Sequence, residues 1–423
     1  MAAVYFQRQD IPQKDKTPEW MSKHLDYGEA LLKNYDTVRQ RMTRMFNGYN
    51  GLKDPLSIEW LTKTYGQENK AQYSTYRLSR TKIDLLQGEQ LKRPLESTVT
   101  TINSQAVSNK MAQYDFIKGA MIARDELTAI KEKAGVDVME GIQIPENESV
   151  FEKMNFKDKC EDVMQIIMDK QVKELDIKHT LSKSFLNLEI TNYCYAQIEM
   201  NEKGYVKLHN IDPRDAIYES IEGDDYLEKS PIRGCRRILP VHEILLRYNL
   251  TKDQRDKLEN ARQNPSLYVG MNGLGRGYMQ MSGGQLMCDV IHIEWDSVRP
   301  LYYKRVPKTQ SQSFIDPTDE PLTFEMDVIK YENNKEYHDS MVAQGKYEIV
   351  TKYVDEQYEA TRIGGIIDID MRPTQGKKRS IDNPSEIVSS SYVGYVHGRV
   401  NGVTISLQQM MENYSNLFDL VQY

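Results

Sequence analysis

The sequence predicts a protein of the α+β class, in which helices and antiparallel strands occupy different parts of the chain. In residues 17–190, apolar residues recur at three- and four-residue spacing, which indicates amphipathic helices. From about residue 194, β-branched and aromatic residues run between turn residues, which indicates strands. Helical spacing returns in residues 406–423. A chain of 423 residues is too long for one compact core, and its length favours about three domains.

The composition is that of a polar globular chain, with 39% hydrophobic residues, 28% charged residues and a formal net charge of -7. This charge argues against a protein coated in nucleic acid, although it allows local basic patches. No apolar run reaches the length of about 18 residues that a membrane-spanning helix needs. No CxxC pair is present, so we expect buried, reduced thiols in a protein that folds in a reducing cytosol. The cysteines are Cys160, Cys194, Cys235 and Cys288.

Residues 1–16 are polar, have no apolar secretory core and are predicted to be a loose arm. Thr17, Pro18 and Glu19 then supply a capping residue, a proline at the first helical position and an acid in the first turn. We expect one helix from there to about Phe46, and a shorter helix over residues 57–65.

The stretch 76–94 is predicted to be a helix with two apolar sides. One side carries Tyr76, Ile83 and Leu91, and the other carries leucines at 78 and 85, which indicates a helix packed from both sides. Gly88 indicates close packing against its backbone. An ordinary core helix is the simpler alternative. The candidate residues for core or inter-subunit packing are Tyr76, Ile83, Leu86 and Leu91.

Residues 97–102 alternate β-branched side chains and predict a strand, and a long helix is predicted over 105–133. The buried face of this helix should contain Val107, Met111, Tyr114, Ile117 and Met121. Two more helices follow. The first should bury Phe156, Cys160, Val163 and Ile167, and the second Ile177, Leu181, Phe185 and Leu188.

The β-rich part begins with a hairpin of residues 195–200 and 205–210 around a turn that contains Gly204. Residues 216–219 and 232–239 should pair next. A short helix starts at Pro240, and the spacing of Thr251 and Gln254 fits the capping box of another helix. Residues 264–284 are predicted to be a flexible loop.

Two long strands, 287–306 and 347–363, flank an acidic insertion over 311–344. The candidate partner-binding residues are Asp316, Asp319 and Glu320 in the insertion, and Arg372, Lys377, Lys378 and Arg379 after the second strand.

The chain ends on helical spacing from Ser406, whose distance to Gln409 fits a capping box. Apolar residues continue at this spacing to residue 421, and no stop signal follows. The sequence therefore predicts that the natural chain continues beyond Tyr423. Candidate residues for a stem helix are Met410, Tyr414, Leu417 and Phe418.

Familiar catalytic motifs are not found in the sequence. The glycines at 273, 275 and 277 have GxGxG spacing and no flanking strand and helix, so a flexible loop is favoured over a phosphate-binding loop. His292 and Glu294 form HxE, for which a strand-pairing role is favoured over a zinc site. Asp368 and Asp370 form DxD, for which solvent-facing strand alternation is favoured over metal binding. We predict no cofactor, no metal and no enzymatic activity.

The stretch 76–94, read as Tyr-Arg-Leu-Ser-Arg-Thr-Lys-Ile-Asp-Leu-Leu-Gln-Gly-Glu-Gln-Leu-Lys-Arg-Pro, resembles a segment of tailed-phage portal proteins, notably those of crAss-like phages. Further pieces of the resemblance lie at 210–216, 292–295 and 391–395, and their order covers most of the chain. Portal proteins of this type are longer, so the chain resembles the N-terminal part of one.

The resemblance implies a portal fold assembled as a ring, with a helical wing, stem helices and a β-containing clip. The implied segments are an arm at 1–16, a wing at 17–240 with hairpins at about 194–239, and stem-adjacent helices with a loop at 241–285. A clip-like region at 286–405 and the start of a stem helix at 406–423 follow.

The implied function is a DNA channel at one capsid vertex, through which the genome is packaged and ejected. The implied partners are further copies of the chain, commonly in rings of twelve, with the major capsid protein, the terminase and the neck proteins. Double-stranded DNA would pass without sequence specificity, and the location would be the virion, after assembly in the host cytoplasm. The alternatives are another head–tail connector or minor capsid protein, and a metal-dependent nucleic-acid enzyme that uses Asp368 and Asp370.

Overall fold

The computed structural model describes residues 5–34, 36–52, 78–102, 104–123, 157, 159–200, 206–219, 224–263, 279–282, 285–307, 324–329, 331, 334–374, 390–397 and 404–411. The predicted helix over 57–65 lies outside the described residues, as do residues 311–323, 330, 332 and 333 of the acidic insertion. The rest of the insertion contains a strand, Phe324–Ile329, and a helix, Lys335–Ala343.

Helices dominate the described residues before 192, as the apolar spacing predicts. The helices are α1 Pro18–Asn34, α2 Asp36–Tyr49, α3 Leu78–Lys92, α4 Ser104–Ile122, α5 Lys159–Glu174, α6 Ile177–Thr191, α7 Val241–Arg247, α8 Lys252–Gln263 and α9 Lys335–Ala343. Residues 407–411 are also helical. Within the described residues, no helix is long and apolar enough to cross a membrane.

In the described residues after 192, strands form two antiparallel sheets, which confirms the α+β class. The strands are β1 Tyr193–Met200, β2 Val206–Ile211, β3 Ala216–Tyr218, β4 Ile232–Pro240, β5 Met279–Ser282, β6 Gln285–Pro307, β7 Phe324–Ile329, β8 Glu348–Ile363, β9 Ile367–Pro373 and β10 Tyr392–Val396. One sheet has the order β10-β1-β2. The other has the order β3-β4-β6-β8-β9, and β5 and β7 also pair with β6.

Two predicted pairings are confirmed, since β1 and β2 form the predicted hairpin and β3 pairs with β4. The two predicted long strands are also present as β6 and β8, and they pair with each other over sixteen residue positions from Val290↔Ile363 to Arg305↔Glu348. The backbone N–H of Thr251 donates to Gln254 Oε1 at 2.9 Å, and the Gln254 N–H donates to Thr251 Oγ1 at 3.4 Å, so the capping box of α8 is also confirmed.

The main core lies where α1 packs on β6 and β8. Trp20 and Leu25 of α1 are buried with Trp295 of β6 and Tyr358 of β8. A Cβ atom at Gly28 would lie 3.0 Å from Ile293, so glycine allows α1 to approach the sheet closely. Large aromatic rings therefore fill the space between helix and sheet.

The predicted loose arm is wrong for residues 5–16, because this segment packs on the main sheet. The Lys16 ammonium donates to the Val298 carbonyl at 2.8 Å and pairs with Glu356 at 3.0 Å. The Gln13 amide donates to the Tyr358 hydroxyl at 2.9 Å. Polar composition gave no indication of this attachment, because these partners lie more than 250 residues away in the sequence.

Four other local predictions are wrong. Residues 18–49 form two helices rather than one, and the described helices end at Asn34 and restart at Asp36. Residues 97–102 belong to no described strand. Residues 279–282, placed in a flexible loop by composition, form β5 because they pair with β6. Cys160 is exposed rather than buried.

The chain divides into two compact units. One contains residues 1–88 and 182–423, and the other contains residues 89–181. Strands from the implied wing, β3 and β4, share a sheet with β6, β8 and β9 of the implied clip region. The wing and clip assignments remain predictions.

Candidate interaction surfaces

Helix α3 holds most of the portal-like motif, and its described side chains are packed on one side only. Ile83 is fully buried in a cluster with Met45 and Ile190. Leu85 is 64% exposed and Leu86 is 41% exposed. The expectation of a helix packed on both sides is therefore wrong for the single chain, and so is the expectation of close packing at Gly88, where a Cβ atom would have no heavy atom within 4 Å.

Polar contacts fix the rotation of α3. The Tyr49 hydroxyl donates to Asp84 at 2.5 Å, and the Gln87 amide donates to the Ser182 hydroxyl at 3.0 Å. Burial, and next the neighbouring Asp84 carboxylate, raise the pKa of Tyr49 to about 12, so the hydroxyl keeps its proton. These contacts hold Ile83 against the cluster and leave Leu85 and Leu86 exposed.

Helix α5, in the unit of residues 89–181, buries polar side chains and exposes apolar ones. Glu161 is buried, and Gln165 is half-buried. The exposed side chains of the helix include five large apolar residues: Val163, Met164, Ile166, Ile167 and Met168. The predicted burial of Cys160, Val163 and Ile167 is therefore wrong in the single chain, since polar contacts rather than apolar ones hold the other side of the helix.

The inward polar residues of α5 bind an extended segment. Glu161 pairs with Lys110 at 2.7 Å and accepts a hydrogen bond from the Thr101 N–H at 2.8 Å. Gln165 accepts from the Val99 N–H at 3.0 Å and donates to the Ser97 carbonyl at 2.8 Å. Two side chains thus replace the neighbouring strand that residues 97–101 would have in a sheet.

The predicted face of α4 is the less exposed face of that helix. Tyr114 is buried, and Val107, Met111, Ile117 and Met121 are partly buried. In α6, Ile177, Phe185 and Leu188 are partly buried, whereas Leu181 is 41% exposed.

A separate surface lies where β6 extends beyond the end of β4. There β6 pairs with β7 on one side and β8 on the other. Lys304 lies 4.9 Å from the ring centre of Tyr347, and Lys352 lies 5.4 Å from that of Tyr303. These cation–π contacts hold basic residues over aromatic rings within the implied clip region. Tyr353 of β8 is exposed on this extension, and Tyr337 of α9 is also exposed.

The HxE pair has a structural role. The Glu294 carboxylate is buried and accepts hydrogen bonds from the Ser390 hydroxyl at 2.8 Å and the Ser391 N–H at 2.9 Å. His292 Nδ1 lies 2.6 Å from the Tyr392 hydroxyl. Both side chains therefore tie β6 to the start of β10.

The DxD pair is engaged by arginines. Asp368 accepts two hydrogen bonds from Arg362, at 2.7 and 3.0 Å, and Asp370 pairs with Arg372 at 3.6 Å. The predicted solvent-facing arrangement is therefore wrong for Asp368. Within the described residues, no group of three or more metal-binding side chains is present.

Some of the other predicted site residues lie in the described part of the chain, and the rest lie outside it. Arg372 pairs with Glu359 at 2.8 Å, and Leu91 and Met410 are exposed. The Gln409 N–H donates to Ser406 Oγ at 3.1 Å, as the predicted cap requires. The remaining site residues lie outside the described part of the chain: Tyr76, Asp316, Asp319, Glu320, Lys377, Lys378, Arg379, Tyr414, Leu417 and Phe418.

Sequence reasoning missed Glu161, Gln165 and Arg362. Glu161 and Gln165 are four residues apart and therefore share one side of α5. Together with the predicted strand at 97–102, this spacing could have predicted that the two side chains bind the strand. Arg362 had no such signal, because its partners Asp26 and Glu29 are remote in the sequence.

Comparison of the chain with protein-family models and with curated proteins finds no match in either case.

Proposed function

We propose that the chain is a subunit of a phage portal, a ring of identical copies through which DNA enters and leaves the capsid. The observation that carries this proposal is the one-sided packing of α3. The helix that holds the portal-like motif buries Ile83 and leaves Leu85 and Leu86 exposed. A further copy of the chain would cover these leucines.

The energetics favour such an assembly. Each Å² of apolar surface removed from water contributes about 25 cal/mol. Helix α5 exposes five further apolar side chains, so a partner that covers them would also stabilise the unit of residues 89–181. Each subunit of this ring would have a wing, a clip and a stem helix that begins near Ser406.

The channel would be a passive conduit. Each phosphate that a protein neutralises raises its DNA affinity and makes sliding harder. A chain with net charge -7 suits a channel that does not grip the duplex. A terminase and later the neck proteins would dock at the clip, and the acidic insertion 311–344 would face a partner or the channel mouth.

Electron microscopy of the purified chain tests the proposal. We expect rings with an axial hole. A chain that stays monomeric or closes into dimers at micromolar concentration would contradict it. Rings without DNA contact in the assembled particle would favour another head–tail connector or a minor capsid protein.

Charge reversal tests the role of the insertion. Replacing Asp316, Asp319 and Glu320 with lysine should reduce DNA packaging or neck attachment, because like-charge contacts would replace complementary ones. The matched control reverses the exposed acids Asp253 and Asp256 on α8. Packaging and neck assembly that match the wild type in both variants would remove the insertion from the docking surface.

A further inference from the structure

The hydrogen bonds of residues 97–101 indicate an extended backbone with one occupied edge, because the N–H groups of alternate residues, Val99 and Thr101, bond to the same helix. The N–H groups of Val99 and Thr101 and the carbonyl of Ser97 all bind side chains of α5. In an extended chain, the backbone groups of successive residues point to opposite sides. The odd-numbered residues therefore face α5, and Thr98, Thr100 and Ile102 face away from it.

The opposite edge has no partner in the described part of the chain. Thr98 and Thr100 are exposed, and Ile102 is 92% exposed. Proteins usually protect a free strand edge with charged side chains, proline or a bulge. Residues 97–102 contain no charge, proline or glycine, and three of them are threonine. This edge therefore has the properties of a site for strand addition.

The same unit also exposes large apolar side chains. Eight of them have between 42% and 92% of their surface exposed, and each Å² that a partner covers would contribute about 25 cal/mol. These residues are Ile102, Phe116, Ile122, Val163, Met164, Ile166, Ile167 and Met168.

We propose that the outward edge of residues 97–102 pairs with a β-strand of a second copy of this chain. The N–H and C=O groups of Thr98 and Thr100 would form the new hydrogen bonds, and the exposed apolar residues of α5 would be covered by the same neighbour. The identity of the neighbour rests on the proposed ring. Since a ring joins unlike surfaces of successive copies, the added strand comes from a different segment of the neighbour.

Residue-resolved amide hydrogen exchange on the assembled protein tests this pairing. In the unassembled chain, Val99 and Thr101 should exchange slowly, and Thr98 and Thr100 should exchange at the rate of a free peptide of the same sequence. In the assembly, Thr98 and Thr100 should slow by roughly a hundredfold. Rings in which Thr98 and Thr100 still exchange at the peptide rate would overturn the pairing and leave the portal proposal standing. A chain that forms no oligomer would overturn both.

A proline pair gives an independent test. Thr98→Pro with Thr100→Pro removes the two outward donors but keeps the extended backbone and the inward bonds of Val99 and Thr101. This variant should lose assembly, whereas the control pair Thr98→Ala with Thr100→Ala should keep it. Normal rings from the proline variant would contradict the proposed strand pairing. If the proline variant also loses protection at Val99 and Thr101, it has unfolded locally, and the exchange pattern of the wild type decides.

Discussion

His24 is a buried histidine whose ring is kept neutral. Its Nδ1 lies 2.9 Å from the Trp20 carbonyl, and the ring stacks on Trp295 with centroids 4.6 Å apart. Burial lowers the pKa of His24 from 6.5 to about 4. Since the unfolded chain binds a proton near pH 6.5 and the folded chain does not, acid favours unfolding.

We expect the free energy of unfolding to fall as the pH drops from 6.5 to about 4, with His24 contributing about 3 kcal/mol of the loss. Urea unfolding at several pH values measures this. His24→Phe should flatten the curve over this pH range, because the phenyl ring binds no proton. His179→Phe, at an exposed position, is the matched control for the loss of one imidazole. Equal slopes in the wild type and His24→Phe would contradict the assignment.

Arg362 joins α1 to the main sheet. It pairs with Asp26 at 2.6 Å, with Glu29 at 3.3 Å and with Asp368 at 2.7 Å. The arginine side chain is largely buried, so its removal would leave three carboxylates without their common cation.

Arg362→Met should reduce the free energy of unfolding by about 3 kcal/mol. The control Arg80→Met removes a solvent-exposed pair with Asp84 and should cost less than about 1 kcal/mol. Urea denaturation measures both variants. A loss at Arg362 no larger than at Arg80 would show that solvent screens the network.

Helix α5 holds residues 97–101 through hydrogen bonds of its side chains, where a sheet would use backbone hydrogen bonds. Gln165 bonds both the Val99 N–H and the Ser97 carbonyl, so it takes the place of one residue of a neighbouring strand. The local order of the segment should therefore depend on this side chain.

Gln165→Ala should speed amide exchange at Val99 by roughly tenfold to a hundredfold, because the donor loses its acceptor. Asp169→Ala, one turn further along α5, removes an exposed side chain that bonds Gln165 but not the segment. It should leave Val99 close to the wild-type rate. Similar exchange at Val99 in all three proteins would show that the two hydrogen bonds contribute little.

At the scale of the whole molecule, the single chain is stabilised by the large antiparallel sheet and yet leaves apolar side chains exposed on α3 and α5. The structure of one chain is therefore compatible with a larger assembly. In the proposed ring, the exposed leucines of α3 would lie between subunits.

Leu85→Glu with Leu86→Glu should abolish assembly without unfolding the chain, since both side chains already face solvent in the single chain. Leu246 on α7 is 85% exposed and provides a matched leucine elsewhere, so Leu246→Glu should assemble normally. Light scattering measures the mass, and circular dichroism checks the fold. Normal rings from the double variant would place α3 away from the interface.

The local pattern of the sequence determined much of the fold. Apolar periodicity located the helical segments from α1 to α6, although it did not separate α1 from α2. The Gly204 turn and its flanking strands located the hairpin, and the Thr251 and Gln254 spacing located the start of α8. These features depend on neighbours within a few residues, so the sequence alone can predict them.

Tertiary contacts decided the rest. The pattern of residues 97–102 suits any partner along a strand edge, and only the fold assigned that edge to Glu161 and Gln165. Apolar spacing in α3 and α5 indicated helices but not which side is covered within one chain. The attachment of Lys16 to Glu356 and of Arg362 to Asp26 joins residues more than 300 positions apart. Such contacts form only when the folded chain brings distant segments together, so no local pattern specifies them.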